Sequence, residues 1–187
     1  LRRQRQMCIR DSDVAAGFVD VVVSGIAEGT YNGRIKMVDQ AGNASSLSSP
    51  LVVTVDATAP AGATLAFANL VNTGGNANQI VTSDNSFTIN LAGAEKGAAL
   101  VYEVSTDGGR TWAATTALQA SLTDGNYSYR VRLTDAAGNV GETPVIGLVV
   151  DTIAPTTPTV TALTTSSTAP VIAGTATLTA GETLNVT

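Results

Sequence analysis

The side chains that could do chemistry in this 187-residue chain are mainly carboxylates. The sequence has 15 aspartates and glutamates, no histidine and a single cysteine, Cys8. Catalytic triads that need an imidazole, histidine-activated cysteine nucleophiles, and zinc sites built from Cys or His are therefore excluded. Oxygen ligands remain, and they suit hard divalent cations.

Two aspartates, Asp39 and Asp135, each open the motif D-x-A-G-N. One interpretation is a tight turn, in which Asp caps the turn and glycine supplies a positive φ angle. The other is a metal site, in which Asp39 pairs with Asp56 and Asp135 pairs with Asp151. Calcium takes about six to eight oxygens, and paired aspartates could supply a share of them. The metal interpretation requires both members of a pair to lie at the same end of a domain.

A second motif spans residues 105–112, which have the sequence S-T-D-G-G-R-T-W. It fits S-x-D-x-G-x-T-W, the Asp-box pattern, and so resembles the repeated hairpins of sialidases. Asp-boxes fold hairpins and do no chemistry, and one copy favours a structural turn in which Asp107 and Thr111 satisfy donors and Trp112 packs over the hairpin. The alternative is a sugar-stacking face that joins Trp112 to nearby tyrosines. No carboxylate pair has an evident apolar pocket, so glycosidase chemistry and enzyme activity are not expected.

Composition defines the elements that must position these residues. Apolar residues make up 44% and charged residues 13% of the chain, which also has 18 glycines and many threonines. Helical and disordered classes are disfavoured, and an all-β fold is predicted. From residue 13 onward there are 6 basic and 14 acidic residues. An acidic body disfavours nucleic acid and anionic membranes as partners.

Residues 1–12 (LRRQRQMCIRDS) are basic and unlike the rest of the chain. They lack the apolar centre of a signal peptide and are interpreted as a non-native leader or cloning remnant, with a natural basic tail as the alternative. Uncharged stretches elsewhere are interrupted by Pro, Gly and Asn, so no membrane insertion is expected.

An internal repeat organises the remaining chain. E-G-T-Y at 28–31 and D-Q-A-G-N at 39–43 return as D-G-N-Y at 124–127 and D-A-A-G-N at 135–139. V-D-A-T-A-P at 55–60 returns as V-D-T-I-A-P at 150–155. Because proline stiffens the chain and favours extended structure before it, V-D-x-x-A-P indicates a last strand entering a linker.

These anchors divide the chain into four segments. After the leader come the C-terminal part of one repeat (13–55), a complete repeat (56–150) and the N-terminal part of a third (151–187). The two partial repeats are expected to expose an apolar sheet face.

Alternating apolar residues within the complete repeat predict about seven short strands, the pattern of an immunoglobulin-like β-sandwich. Tyr127, Tyr129, Val131 and Leu133 should share the buried face, and Tyr127 or Tyr129 is the candidate for a tyrosine corner. A β-propeller is the competing all-β fold, but a propeller blade is only about half as long as the complete repeat at residues 56–150.

The junction motif, the strand Y-E-V-S at 102–105 leading into the Asp-box, and D-G-x-Y followed by D-x-A-G-N together resemble the bacterial Ig-like repeats of large secreted adhesins and biofilm-associated surface proteins. The resemblance covers residues 13–155, and 170–187 resemble the opening strands of another Ig-like variant.

This resemblance implies a tandem spacer on the bacterial cell surface or in a secreted protein, which holds a distal receptor-binding domain away from the cell. It implies neighbouring repeats as partners and calcium at the junctions, with Asp39, Asp56, Asp135 and Asp151 as ligands. The alternative is an accessory, glycan-binding module of a secreted polysaccharide-degrading enzyme.

Overall fold

The computed structural model describes residues 23–76, 79–179 and 181–185. Regular structure in these residues consists of fourteen β-strands, without a helix. Contacts divide the chain into unit 1 (Leu1–Thr58) and unit 2 (Ala59–Thr187). The predicted leader, residues 1–12, lies outside the described residues.

Unit 1 contains a long antiparallel hairpin. Strands β1 (Gly29–Gly33) and β2 (Leu51–Val55) pair in register from Gly29 opposite Val55 to Gly33 opposite Leu51. The ladder continues beyond them through the Ile35 carbonyl, which accepts the Ser48 N–H, to a bridge between Val38 and Ala44. The D-x-A-G-N motif therefore forms the closed end of the hairpin.

Unit 2 contains two facing sheets. The larger one follows the order β4, β5, β12, β10, β7, β8, with β11 beside β10. The smaller one follows the order β3, β6, β9. The β5–β12 pair is parallel, whereas the other pairs are antiparallel. The strands are β3 (Thr64–Ala68), β4 (Gly74–Asn76), β5 (Gln79–Thr82), β6 (Phe87–Ala92), β7 (Ala99–Ser105), β8 (Ala113–Thr115), β9 (Leu118–Gln119), β10 (Gly125–Thr134), β11 (Val140–Glu142) and β12 (Ile146–Val150).

Beyond this sandwich, unit 2 ends in a short pair, β13 (Thr159–Val160) with β14 (Gly174–Thr175). The prediction of about seven strands undercounts the ten of the middle segment, β3–β12. The β4–β5 hairpin lies in a Gly- and Asn-rich stretch without a period of two, so the sequence pattern did not reveal it.

The core lies between the two sheets. Phe87 and Ile89 of the smaller sheet pack with Tyr129, Leu148 and Val150 of the larger one. The rings of Phe87 and Tyr129 meet edge to face with centroids 5.8 Å apart, a geometry that aromatic pairs favour. A second cluster contains Ala63, Val131 and Leu133. The predicted β-sandwich, with alternate residues of β10 buried, is confirmed.

The chain enters and leaves this sandwich at opposite ends. At the entry, the carbonyl oxygen of Pro60 lies so close to Gly141 that a Cβ there would overlap it. Gly141 pairs with Leu133, near the end of β10. At the exit, Val150 pairs with Gly125, the first residue of β10. A ten-residue strand is about 33 Å long, so the two ends are separated by roughly that distance.

Candidate functional site

Asp135 closes the turn that follows β10. Its Oδ1 atom accepts the N–H groups of Ala137 (2.8 Å) and Asn139 (2.9 Å), and its Oδ2 atom accepts the Asn139 side-chain amide (2.8 Å). Gly138 adopts a φ of 94°, which glycine tolerates best. The hydrogen bonds from Asn139 hold the pKa of the Asp135 carboxyl below its ordinary value. Its carboxylate therefore has the turn role.

Asp39 has the same role in unit 1. The N–H of Asn43 donates to Asp39 Oδ1 at 2.7 Å and its side-chain amide donates to Oδ2 at 2.8 Å. The Asn43 side chain is the main cause of a lowered pKa at Asp39, and Gly42 has a φ of 88°. This turn is built in the same way although Asp39 is exposed and Asp135 is buried.

The two linker aspartates follow the last strand of each hairpin. Asp56 comes after β2 and accepts the N–H of Thr58 at 3.0 Å through Oδ1. Asp151 comes after β12 and accepts the N–H of Ile153 at 3.2 Å in the same way. Both form the Asx turn that short acidic side chains favour, and each fixes the second residue of its linker.

Within either unit the structure does not bring Asp39 together with Asp56, or Asp135 together with Asp151. A D-x-A-G-N turn lies at the closed end of its hairpin, whereas the linker aspartate lies beyond the open end. Antiparallel strands of about ten residues keep these ends roughly 33 Å apart. In the described part of the chain, no three acidic, His or Cys side chains form a group that could hold a metal ion.

Two carboxylates that sequence reasoning did not single out lie beside the linker aspartates. Glu28 Oε1 accepts the N–H of Ala57 at 2.9 Å and the hydroxyl of Thr58 at 2.8 Å. Asp124 Oδ1 accepts both the N–H (3.0 Å) and the hydroxyl (2.8 Å) of Thr152. The sequence does mark these two residues, because an acidic residue precedes G-x-Y in both copies of the repeat. It is glutamate in the first copy and aspartate in the second.

A tyrosine corner accompanies each of these carboxylates. The Tyr127 hydroxyl donates to the Thr123 carbonyl at 2.8 Å, and the Tyr31 hydroxyl donates to the Ala27 carbonyl at 2.7 Å. This is the contact expected of a tyrosine corner, so Tyr127 has that role. Tyr129 is instead fully buried, where its hydroxyl donates to Gln119 Oε1 and burial raises its pKa.

The Asp-box forms the structural hairpin that its pattern favours. Asp107 Oδ1 accepts the Ser105 hydroxyl (2.7 Å) and the Thr111 N–H (2.9 Å), and Oδ2 accepts the Thr111 hydroxyl (2.5 Å). These bonds, led by the Thr111 hydroxyl, hold the pKa of Asp107 far below its ordinary range. The carboxylate is the organising centre of a turn.

Trp112 lies on the outer face of the larger sheet, apart from the core tyrosines. The Arg130 guanidinium carbon is 4.3 Å from the centroid of the Trp112 ring. Arg130 also forms ion pairs with Glu103 at 2.7 Å and with Glu142 at 2.8 Å. Tyr102 and Tyr127 pack against the core, so they form no stacking face with Trp112.

Comparison with known proteins identifies the middle of the chain. Residues 61–152 match the family model for a bacterial Ig-like domain. This segment, just under half of the chain, contains both sheets of the sandwich, and the match supports a bacterial Ig-like domain there. The predicted fold class is confirmed. No curated protein matches the chain. The described residues include no helix that is long and apolar enough to cross a membrane.

Proposed function

We propose that this chain is a non-catalytic spacer from the stalk of a bacterial cell-surface adhesin, and that it serves adhesion or biofilm formation. The observation that carries the proposal is the path of the chain through unit 2. It enters beside Gly141 and leaves after Val150, at the other end of β10. A domain with its termini at opposite ends adds its own length to a string of domains.

The roles of the acidic side chains support a structural function. Asp39, Asp107 and Asp135 accept backbone N–H groups that close turns. Asp56 and Asp151 accept N–H groups of the linkers. A catalytic acid or base must lie within hydrogen-bonding reach of a substrate, whereas these carboxylates accept hydrogen bonds from the protein's own backbone.

The recurrence of one hairpin also supports an array. The same four features occur twice along the chain in the same order. They are the E/D-G-x-Y acid, the tyrosine corner, the D-x-A-G-N turn and the V-D-x-x-A-P junction. Bacterial Ig-like domains are typical of extracellular and surface proteins, which agrees with the proposed location. The proposed partners are neighbouring repeats of the same chain.

Calcium is a further element of this proposal, and its most suitable donors differ from the predicted pairs. Each exit end has two carboxylates, Glu28 with Asp56 and Asp124 with Asp151. Calcium takes about six to eight oxygens, so two carboxylates that already accept N–H groups form a partial site. Bound there, the ion would supply charge neutralisation and cross-linking of carboxylates. The linker hydrogen bonds need no metal.

The path of the chain is tested by a distance measurement across unit 2 in the full chain. Cys8→Ser removes the native thiol, and Ala61→Cys with Ile153→Cys provides two sites for spin labels. Double electron–electron resonance should give a distance near or above about 30 Å, the length of a ten-residue strand. A distance below about 20 Å would place entry and exit at one end and overturn the spacer geometry.

The accessory-module alternative is tested by ligand binding. A spacer should bind nothing on an array of bacterial and host glycans. Amide chemical shifts around Trp112 in the full chain should stay unchanged on addition of soluble oligosaccharides. Saturable binding that Trp112→Ala abolishes would favour a glycan-binding module.

A further inference from the structure

At the exit from each hairpin, two carboxylates hold the start of the linker. In unit 2, Asp124 accepts the Thr152 N–H, and Asp151 accepts the Ile153 N–H. In unit 1, Glu28 accepts the Ala57 N–H and Asp56 accepts the Thr58 N–H. In each unit, the first two N–H groups after the linker aspartate are therefore fixed by side chains.

The hydroxyl contact is made differently in the two units. Glu28 reaches the hydroxyl of Thr58, the second residue after Asp56, whereas the shorter Asp124 reaches that of Thr152, the first residue after Asp151. Ala57 and Ile153, at the other positions, have no hydroxyl. The longer acid is thus matched with the more distant threonine. Two residue combinations thus produce the same kind of contact, between an acid and a threonine hydroxyl of the linker.

The surrounding residues extend this order along the chain. The tyrosine corner of Tyr127 anchors the backbone immediately before Asp124. Past Ile153, Pro155 has a fixed φ and restricts Ala154 to extended conformations. The Asp151 N–H donates to the Thr82 carbonyl at 2.9 Å, which continues the β5–β12 ladder to the linker. Contacts at Asp151, Thr152 and Ile153 and the proline ring therefore restrict the backbone between Val150 and Pro155.

We propose that the acid before each tyrosine-corner strand, together with its linker threonine, is a clamp that fixes the direction in which the linker leaves the domain. This inference rests on the proposed spacer function. The clamp needs no metal, because its contacts are direct hydrogen bonds between protein atoms. It gives Glu28 and Asp124 a role in orienting the next domain.

Amide hydrogen exchange in the full 187-residue chain, measured by NMR in chelator, tests the clamp. Asp124→Ala should accelerate exchange at Thr152 about tenfold, the effect of losing a hydrogen bond to a charged group. Exchange at Ile153 should accelerate less, because its N–H keeps Asp151 as acceptor. Amides of the central ladder, such as Tyr129 and Leu148, should keep their protection. Asp135→Ala is the matched control, since it removes an equivalent turn carboxylate at the opposite end.

A transplant of the unit 1 arrangement sharpens the test. The triple variant Asp124→Glu, Thr152→Ala, Ile153→Thr should restore protection at residues 152 and 153, because it reproduces the Glu28, Ala57 and Thr58 combination. Thr152→Val gives a milder variant that keeps the N–H if Asp124→Ala fails to fold.

Unchanged exchange at 152 and 153 in both Asp124→Ala and Thr152→Val would overturn the clamp, as would equal acceleration in Asp135→Ala. Such a result leaves the end-to-end distance and the glycan assay unaffected. The clamp and the spacer proposal therefore fail separately.

Discussion

The hairpin of unit 1 and its counterpart in unit 2 share their local contacts and differ in burial. Both have an acid that holds the linker, a tyrosine corner and an Asp-Asn turn. Yet Ile35 and Met37 are 73% and 76% exposed, whereas Val131 and Leu133, at the equivalent positions, are 0% and 1% exposed.

This difference separates two sources of order. The turns and linker contacts form within about thirty residues and need only local partners. Burial requires the smaller sheet of β3, β6 and β9, which faces β10 and β12 in unit 2. In the described part of unit 1 no second sheet faces the hairpin. The conformation of the turns and linkers is therefore specified by local contacts, whereas burial of the hairpin side chains depends on strands distant in sequence.

The largest effect should come from truncating equivalent core positions. Leu133→Ala should lower the free energy of unfolding of unit 2 by about 2–5 kcal/mol, because it creates a cavity beside Val131 and Ala63. Urea unfolding followed by Trp112 fluorescence measures this loss, since the only tryptophan lies in unit 2. Met37→Ala should change stability by about 0.5 kcal/mol or less, as judged from the unit 1 hairpin amides. Equal effects at both positions would contradict the contrast in burial.

A second contrast lies at Gly141, whose equivalent in unit 1 is Ser45. Gly141→Ser should destabilise unit 2 by about 1–3 kcal/mol, because its Cβ would overlap the Pro60 carbonyl and displace the entry segment. The same urea titration measures the loss. Gly97→Ser is a control for adding a side chain in open space, although its φ of 91° adds local strain. An unchanged midpoint in Gly141→Ser would mean that the entry segment is not held there.

The two D-x-A-G-N turns should respond alike to pH, although one is exposed and the other is buried. Hydrogen bonds lower the folded-state pKa of Asp39 and Asp135, so their stabilisation is complete above the unfolded value of about 3.9. It is lost as pH falls through the lowered folded-state pKa. Carboxyl ¹³C titrations should show both midpoints below about 3.9. At neutral pH the Asp135→Asn variant should have a lower melting temperature than the wild type, and the difference between the two temperatures should narrow at acid pH. A normal Asp39 midpoint would indicate that the turn needs burial.

The smallest effect is expected from calcium. A complete site at a hundred times its dissociation constant adds about 2.7 kcal/mol, and the partial donor sets at the exit ends should give less. Thermal unfolding in millimolar calcium and in chelator measures the shift, with Asp56→Asn and Asp151→Asn as controls. A shift that either substitution abolishes would support metal binding at that exit. A full-sized shift that survives both would place the ion elsewhere.

The sequence predicts the fold well because one alternating strand has a readable period. The alternation places Tyr127, Tyr129, Val131 and Leu133 on one face, and the structure confirms this. The sequence of residues 105–112 also predicts the hairpin, because this segment contains the hydrogen-bonding partners of Asp107.

Whether the aspartates of a predicted metal-binding pair lie close together could not be derived in this way. Spacing along the chain does not tell which end of a hairpin a residue occupies, and the antiparallel register places Asp135 and Asp151 apart. The stacking of Arg130 on Trp112 joins side chains eighteen positions apart on separate elements, which no local pattern encodes. The clamp carboxylates were visible as a repeat, but their partners emerge only once Gly125 is known to face Val150.

The parallel pairing of β5 with β12 has a mechanical consequence for a domain that is pulled by its two ends. Leu148, Val149 and Val150 pair with Ile80, Val81 and Thr82, and these two strands run parallel to the direction from entry to exit. A tensile load would slide one strand along the other, so the hydrogen bonds between the three pairs would resist it together. A hairpin pulled apart at its open end would instead lose its hydrogen bonds one after another.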